Sequence, residues 1–444
     1  MMPADLWEAL SRAAAGRPWQ ASVWEERGIR VEGGEGEAAV ERWRESYLSV
    51  RLDLGGGRVG FAAVPLGPGS RWDPGDLMGW ARQAAGAQDP VPAADLEGPL
   101  GPPPVGDLAI RDSRVEALTA ADLAGLVQTL DRTARAGDPR VVSVRKPSAE
   151  AVVIRRTIRN HRTEEVAWVE TSVSASLEVS AAEGSTAQTG WSSAEARQWA
   201  ELSPARLAAD AAGRAVELLG ARPAPTGRFP LVLDARVAAD LLAVLAPSFL
   251  GETVEKGMGL FREEGAVVAA RSVIIRDEGL RPGGIETRPV DDEGVPRQLT
   301  EVIDRGVLKG FLYDRSSGSR AGRSSTGNAA GGATVPPRPH VSNLIWAPGE
   351  GGGTEDLMAL AGRGLWVRDV LGLHTADPVT GEFSVGCSGI WFEGGVPAHP
   401  VTGAALAGTV EELLRRVAVV GTDLEMHGGL GAPPLLVEGL DLAG

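Results

Sequence analysis

The side chains most suited to binding chemistry lie in one polar stretch, residues 311–343. Its arginines add fixed positive charge to a chain that is otherwise acidic. Glycine and asparagine tolerate positive φ, so the stretch can turn sharply and present its backbone N–H groups. A rigid polar loop of this kind suits an extended peptide, a carboxylate or a partner protein, and a flexible surface insertion explains the composition equally well. The predicted binding residues are Arg315, Arg320, Arg323, Ser325, Thr326, Gly327, Asn328 and Asn343.

Catalytic residues are not predicted anywhere in the chain. The five histidines are scattered, and no two have the spacing of metal ligands. Folding could still bring histidines that are distant in sequence together as metal ligands, and His427 would belong to such a set. Cys387 has no recognisable histidine partner, so a small buried hydrophobe is favoured over a nucleophile. The serines near Ser325 and Ser388 lack a Gly-x-Ser-x-Gly elbow, and no glycine-rich run ends as a phosphate loop does. We therefore predict neither a catalytic residue nor a metal site.

Two apolar runs with β-strand character flank the polar stretch and are expected to position it. Val307–Tyr313 precedes it, and Val341–Trp346 follows a proline-rich segment. Periodic apolar patterns elsewhere predict an α+β fold, in which a mixed N-terminal α/β region is followed by a mostly antiparallel, β-rich C-terminal domain. Residues 86–108, rich in Pro, Gly and Ala, predict a linker. The predicted regions are 1–108 (N-terminal α+β), 109–225 (helix and strand) and 226–444 (β-rich C-terminal domain).

Composition narrows the range of partners. The chain has 444 residues, of which 43% are hydrophobic, so it can bury a sizeable core in about two or three domains. A net charge of −15 argues against nucleic acid, because a phosphate binder needs a basic surface. No apolar run is long enough to span a bilayer, so no membrane contact is expected. One cysteine suits a reducing compartment, and we expect a cytoplasmic protein.

Several short motifs of the C-terminal half resemble those of the TldD/PmbA family, in the family's order and spacing. These motifs are Asp291-Asp292-Glu293-Gly294, Gly306-Val307-Leu308, Ser325-Thr326-Gly327-Asn328, Gly389-Ile390-Trp391-Phe392-Glu393-Gly394-Gly395 and Gly421-Thr422-Asp423-Leu424-Glu425. The N-terminal half resembles the family only in outline.

The resemblance locates one departure from the family pattern. Its active, TldD-type subunits carry His-Glu-x-x-x-His on a helix that corresponds to the predicted helix after Asp234. Two imidazoles on one helix hold zinc there, and the glutamate acts on the metal-bound water. In this chain Ala243, Val244 and Ser248 occupy the three places, and the segment that holds a further thiolate ligand in the family contains no cysteine here. The departure matches the TldE (PmbA) type of subunit.

The resemblance therefore implies a metal-free subunit of a heterodimeric peptidase. A TldD-type partner would supply the zinc, and the two subunits would enclose unfolded or extended peptides, for example leader peptides of ribosomally made, modified peptides. An alternative is a stand-alone peptide-binding or scaffolding protein that has lost this pairing. A hydrolase with an unrecognised site of its own is the third hypothesis.

Overall fold

A computed structural model describes residues 4–34, 38–67, 69–87, 96, 100–101, 106–373, 376–377 and 379–444. Most of the predicted linker at 86–108 thus lies outside the described residues. No helix of the described part is both long and apolar enough to cross a membrane.

The N-terminal half is built on one antiparallel sheet of six strands. In chain order they are β1 (Trp19–Glu32), β2 (Ala39–Asp53), β3 (Val59–Pro65), β4 (Val141–Asn160), β5 (Glu165–Glu183) and β6 (Thr186–Ala196). The strand order in the sheet is β3-β2-β1-β4-β5-β6, so β3 and β6 are the edge strands. Strands from the first two predicted regions therefore share a single sheet.

Helices cover one face of this sheet. They are α1 (Ala4–Ala13), α2 (Pro74–Gly86), α3 (Ser113–Glu116), α4 (Ala120–Gly137) and α5 (Pro204–Glu217). Alternate strand residues such as Val23, Val50 and Val173 are buried beneath them, as a half-covered sheet requires. Helix α5 packs so closely on β6 that a Cβ atom at Gly190 would lie 2.2 Å from the carbonyl oxygen of Ala211. The opposite, polar face of the sheet is left for the C-terminal half.

The C-terminal half contains two further six-stranded sheets. Its helices are α6 (Ala235–Leu245), α7 (Gly251–Glu255), α8 (Arg315–Arg320), α9 (Thr354–Ala361) and α10 (Val410–Arg415). Its strands are β7 (Gly227–Leu233), β8 (Ile275–Glu278), β9 (Leu299–Asp304), β10 (Val307–Leu308), β11 (Ala329–Ala330), β12 (Arg338–Pro339), β13 (Leu344–Trp346), β14 (Arg363–Leu371), β15 (Glu382–Glu393), β16 (Val396–Thr409), β17 (Val417–Val420), β18 (Glu425–His427), β19 (Leu430–Ala432) and β20 (Leu435–Ala443).

The two C-terminal sheets differ in closure. One has the order β16-β15-β14-β7-β20-β17, and an additional pairing of β16 with β20 closes five of its strands into a ring. The other has the order β10-β9-β8-β13-β19-β18 and leaves β18 at an edge. Most pairs in both are antiparallel; β14 with β7 and β13 with β19 are parallel. The predicted α+β class with a mostly antiparallel C-terminal domain is confirmed.

The polar stretch is more ordered than the sequence predicted. The predicted strand Val307–Tyr313 is a strand only over its first two residues, and the second begins at Leu344 rather than Val341. Part of the predicted loop is helical, because the carboxylate of Asp314 caps α8 by accepting a hydrogen bond of 2.7 Å from Ser317 N. Capping thus overrides the poor helix propensity of a segment rich in serine and glycine.

Candidate functional site

The three arginines of the predicted binding loop lie at or beside α8 and are engaged within the chain. Arg320 Nε lies 2.8 Å from a carboxylate oxygen of Glu255, and its side chain is 18% exposed. Arg323 pairs with Glu264 and is 56% exposed. The backbone N–H of Arg315 donates a hydrogen bond of 2.7 Å to Glu293. Arg323 therefore remains the most accessible cation of the loop.

The Ser325–Asn328 turn is held against Tyr313. Ser325 Oγ donates to the carbonyl of Tyr313 at 3.1 Å, and Tyr313 N donates to Thr326 Oγ1 at 2.8 Å. Gly327 has φ +75°, and a Cβ there would lie 2.4 Å from the carbonyl oxygen of Pro296. Only glycine fits both the backbone conformation and the space.

The two predicted asparagines are buried and fully engaged. Asn328 donates from Nδ2 to Asp277 at 2.9 Å and to the carbonyl of His340 at 3.0 Å. Asn343 donates to the carbonyl of Glu278 at 2.9 Å and accepts from Glu286 N at 3.1 Å. In this structure both amides join segments that are distant in sequence. Whether loop residues also contact a ligand stays a prediction.

The Asp291-Asp292-Glu293 motif attaches this loop to the N-terminal sheet. Asp292 pairs with Arg156 of β4 at 2.8 Å, and Glu293 pairs with Arg51 of β2 at 2.8 Å. The Arg156 guanidinium also lies 4.4 Å from the ring centroid of Trp24. Because all three carboxylates of the motif are buried, these contacts form a charged core between the two halves of the chain.

Asp291, the first carboxylate of the motif, has a raised pKa. Its Oδ1 accepts hydrogen bonds from Glu293 N and Val295 N, and its Oδ2 accepts one from Ala329 N. Burial and the neighbouring Glu293 carboxylate nevertheless raise the pKa of Asp291 to about 7. Nearby, Glu170 pairs with Arg197 at 2.9 Å, and the guanidinium charges hold the pKa of that buried carboxyl below its ordinary value.

A groove lies between β6 of the N-terminal sheet and the β18–β19 hairpin. It has two arms, with cavity volumes of about 460 and 440 Å³, a size typical of ligand sites. Both arms are lined by Ser193, Ala194 and Glu195 from β6 and by Met426 and His427 from β18. The groove therefore runs between an edge strand of each half of the chain.

The outer edge of β6 faces this groove with unpaired backbone groups. The carbonyl of Trp191 accepts a hydrogen bond of 3.1 Å from Arg236 Nη1, so it points away from β5. Backbone groups alternate in direction along a strand, which places the N–H and C=O groups of Ser193 and Glu195 on the same outer edge. An extended peptide could pair with such an edge through its own backbone.

The charges of the groove are mostly balanced. Arg206 reaches across it to Glu425 at 3.1 Å, and Arg214 pairs with Asp210 at 3.1 Å. Desolvation raises the pKa of Glu195 and lowers the pKa of His427. A groove of this kind suits a polypeptide backbone better than a highly charged ligand.

Helix α6 borders the groove through Arg236. Asp240 and Ala243 follow Arg236 at helical spacing and lie on the same face. Helix α6 ends at Leu245, and Ser248 is buried in a short 3₁₀ turn, where its Oγ accepts a hydrogen bond of 3.2 Å from Leu260 N. Ala243, Val244 and Ser248 offer neither imidazole nor carboxylate, so these positions do not fit a zinc ion. Within the described ranges, no group of three or more His, Cys, Asp or Glu is placed to hold a metal.

Sequence reasoning did not identify the groove residues of β6. The pairing of β6 with β5 and its position at the sheet edge depend on contacts between distant segments. One signal was present, because His427, the histidine that the sequence allows in a set of metal ligands, does line the groove. Cys387 is buried, and burial raises its pKa to about 11, as expected for a packed thiol rather than a nucleophile.

Comparisons with known proteins cover most of the chain. Residues 226–444 match the family model "PmbA/TldA metallopeptidase C-terminal domain", and residues 113–219 match "PmbA/TldA metallopeptidase central domain". A metalloprotease PmbA homolog of Haemophilus influenzae is 28% identical over 243 residues, which are 54% of this chain and 52% of that protein. A metalloprotease TldD homolog of the same organism is 28% identical over 333 residues, 71% of this chain and 68% of that protein. The chain thus aligns with about half the length of the PmbA homolog.

Solved structures share the whole fold. A Thermotoga maritima protein called a candidate modulator of a DNA gyrase superposes with a TM-score of 0.88 at 26% identity, covering 99% of both chains. TldE from Thermococcus kodakarensis superposes with a TM-score of 0.86 at 20% identity, covering 99% of this chain and 100% of that one. At that identity the second likeness concerns the fold alone.

Proposed function

Because this chain belongs to the PmbA/TldD metallopeptidase family, we propose that it is a TldE-like, metal-free subunit of a heterodimeric zinc peptidase. The observation that carries the proposal is the chemistry of Ala243, Val244 and Ser248, which cannot replace two histidines and a glutamate as zinc ligands and base. A TldD-type partner supplies the zinc and the hydrolytic step. The single cysteine supports a reducing compartment such as the cytoplasm.

In this proposal the chain shapes the chamber that holds an unfolded or extended peptide, for example a leader peptide of a modified peptide. The groove between β6 and β18 supports this role because its size and its exposed strand edge suit an extended backbone. Backbone pairing gives affinity without a strict sequence requirement. The accessible loop around Arg323 is proposed to contact the partner or the peptide, together with Arg315, Arg320, Ser325 and Thr326, and the buried Gly327, Asn328 and Asn343 are proposed to hold this loop in shape.

Co-purification with a TldD-type protein tests the pairing. The two chains are co-expressed with a tag on one of them, and hydrolysis of an unfolded peptide is measured for each chain alone and for the mixture. We expect a stable complex, peptidase activity in the mixture, and no stoichiometric zinc in this chain alone by elemental analysis. Chelator-sensitive hydrolysis by this chain alone would contradict the proposal.

A stand-alone peptide-binding protein is the second candidate, and one observation favours it. Both walls of the groove come from the same chain, so peptide binding does not require a partner to complete the site. A homodimer that binds extended peptides and is indifferent to a TldD-type protein in native mass spectrometry would favour this candidate over the first.

A further inference from the structure

Two large apolar side chains face the groove from its opposite walls. Trp191 of β6 is 44% exposed and Met426 of β18 is 36% exposed, and both line the arm of about 440 Å³. The rest of that arm is lined mainly by serines and by charged residues such as Arg30 and Glu150. Single exposed apolar residues are common on protein surfaces, but an exposed tryptophan opposite an exposed methionine in one groove is typical of a recognition site.

The Trp191 ring is held in place by the neighbouring helix. The Arg236 guanidinium lies 4.4 Å from the centroid of the indole ring, and the same side chain donates to the Trp191 carbonyl at 3.1 Å. The backbone contact holds Arg236 in position, and a ring packed on this guanidinium loses little conformational freedom when a ligand packs on it. Met426, in contrast, is flexible and polarizable, and can adapt to ligands of different shape.

The position of Trp191 on β6 relates it to a bound peptide. Trp191, Ser193 and Glu195 lie on the same face of the strand, because side chains alternate along it. Arg236 occupies the outer carbonyl of Trp191, so a peptide would pair with the edge at Ser193 and Glu195. The peptide residue opposite Ser193 is then a diagonal neighbour of Trp191, at a separation that aromatic side chains can bridge.

We propose that the groove selects extended peptides by one large apolar side chain, which packs between Trp191 and Met426. This inference rests on the proposed function, since it assigns the substrate class of the same groove. Backbone pairing along β6 accepts any sequence, and the apolar contact adds a preference at one peptide position. Leucine, isoleucine, phenylalanine and methionine are the side chains of the right size and chemistry.

Binding of two labelled peptides to the full chain tests the inference. One is a short unstructured peptide of serine, glycine and threonine with a single central leucine, and the other has serine in place of the leucine. By fluorescence anisotropy, the leucine peptide should bind about tenfold more tightly, as expected for burial at an anchor site. Trp191→Ala should abolish most of this difference while leaving the affinity for the serine peptide nearly unchanged.

The chain offers matched controls for both anchors. Trp80 on α2 is 45% exposed and does not line the groove, so Trp80→Ala should leave the leucine preference intact. Met258 is 47% exposed and serves the same purpose for Met426→Ala. Trp191→Phe, which keeps an aromatic ring, should retain part of the preference and guards against a folding defect in the alanine variant.

The outcomes separate this inference from the proposed function. If wild-type protein binds both peptides equally, the apolar selection is wrong and peptide binding by the groove stands. If it binds neither, the groove of this chain is not a peptide site and the inference is overturned, whereas the pairing with a TldD-type protein is decided separately by co-purification. If Trp80→Ala reduces the leucine preference as much as Trp191→Ala does, the preference does not arise in the groove, and the inference is overturned.

Discussion

Two of the regions where the halves of the chain meet, the charged core and the groove, use similar residues in different surroundings. In the charged core, Arg156 and Asp292 pair at 2.8 Å with side chains that are 2% and 6% exposed. In the groove, Arg206 and Glu425 pair at 3.1 Å with side chains that are 80% and 40% exposed. The two pairs have similar N–O distances and both join a guanidinium to a carboxylate, so they differ mainly in how deeply they are buried.

The difference separates structural polar groups from groups available to a ligand. A buried ion pair cannot lose one partner without leaving an uncompensated charge, whereas water replaces the partner of an exposed one. The charged core therefore fixes the two halves relative to one another and orders the loop that follows Tyr313. The groove keeps a free strand edge and exposed side chains, and these are the features that a peptide can use.

Breaking the buried pair should have the largest effect. Arg156→Met keeps the apolar stem beside Trp24 but removes the cation paired with the buried Asp292 carboxylate, which then retains only the charges of Arg288 and Arg297. We expect the free energy of unfolding to fall by about 3–5 kcal/mol. Urea denaturation followed by circular dichroism measures this change. A loss below about 1 kcal/mol, the usual worth of an exposed pair, would show that water enters the charged core.

Blocking the groove edge should affect binding without affecting stability. Ser193→Pro removes an N–H group that points away from β5, so peptide affinity should fall about tenfold or more while the unfolding midpoint changes little. Ala194→Pro is the matched variant. The N–H group of Ala194 points toward β5, so its loss should lower the free energy of unfolding by about 1–3 kcal/mol. Equal destabilisation by both prolines would contradict the assigned direction of the edge.

The pH dependence of stability should reflect Asp291. Its pKa is raised from an ordinary value of 3.8 to about 7 in the folded chain, so the folded state holds a proton that the unfolded state has already released. Its contribution to stability is full below the unfolded pKa and is lost as the pH rises through 7. Between about pH 6 and pH 8 the free energy of unfolding should therefore fall by about 1 kcal/mol from this group.

Glu293→Gln sharpens this prediction. Removing the like charge lowers the pKa of Asp291 and should flatten the decrease between about pH 6 and pH 8, whatever the overall loss of stability. Glu411→Gln on α10 changes an exposed carboxylate and should leave the slope as it is in the wild type. Urea denaturation at constant ionic strength measures both slopes. If the free energy of unfolding of Glu293→Gln depends on pH as steeply as that of the wild type, the pH dependence does not arise from the effect of Glu293 on Asp291.

The smallest effect is expected for the pair across the groove. Arg206→Met makes the same change as Arg156→Met in an exposed pair of similar length, so the free energy of unfolding should change by no more than about 1 kcal/mol. A large loss of stability would mean that Arg206 holds the halves together as Arg156 does. The contrast between the charged core and the groove would then disappear.

Much of the architecture was predictable from sequence patterns. Alternating apolar residues predicted strands in both halves, and the helix predicted after Asp234 is α6. The loop around Ser325 was located correctly, but α8 within it was missed because its residues have low helix propensity and only the cap at Asp314 favours a helix. The predicted role of the loop in binding is still a prediction.

The sequence by itself determined the α+β class and the family, because these depend on residue type and local spacing, and it placed Ala243, Val244 and Ser248, which carry neither imidazole nor carboxylate, after Asp234. Only the tertiary structure decided which polar residues are buried in the charged core and which face a groove. The sequence alone gives no sign of which side chains a ligand can reach among Asn328, Asp292, Ser193 and Trp191. Their roles differ because packing within the C-terminal half removes water from Asn328, packing between the halves removes it from Asp292, and the backbone edge or side chain of the other two stays open to solvent.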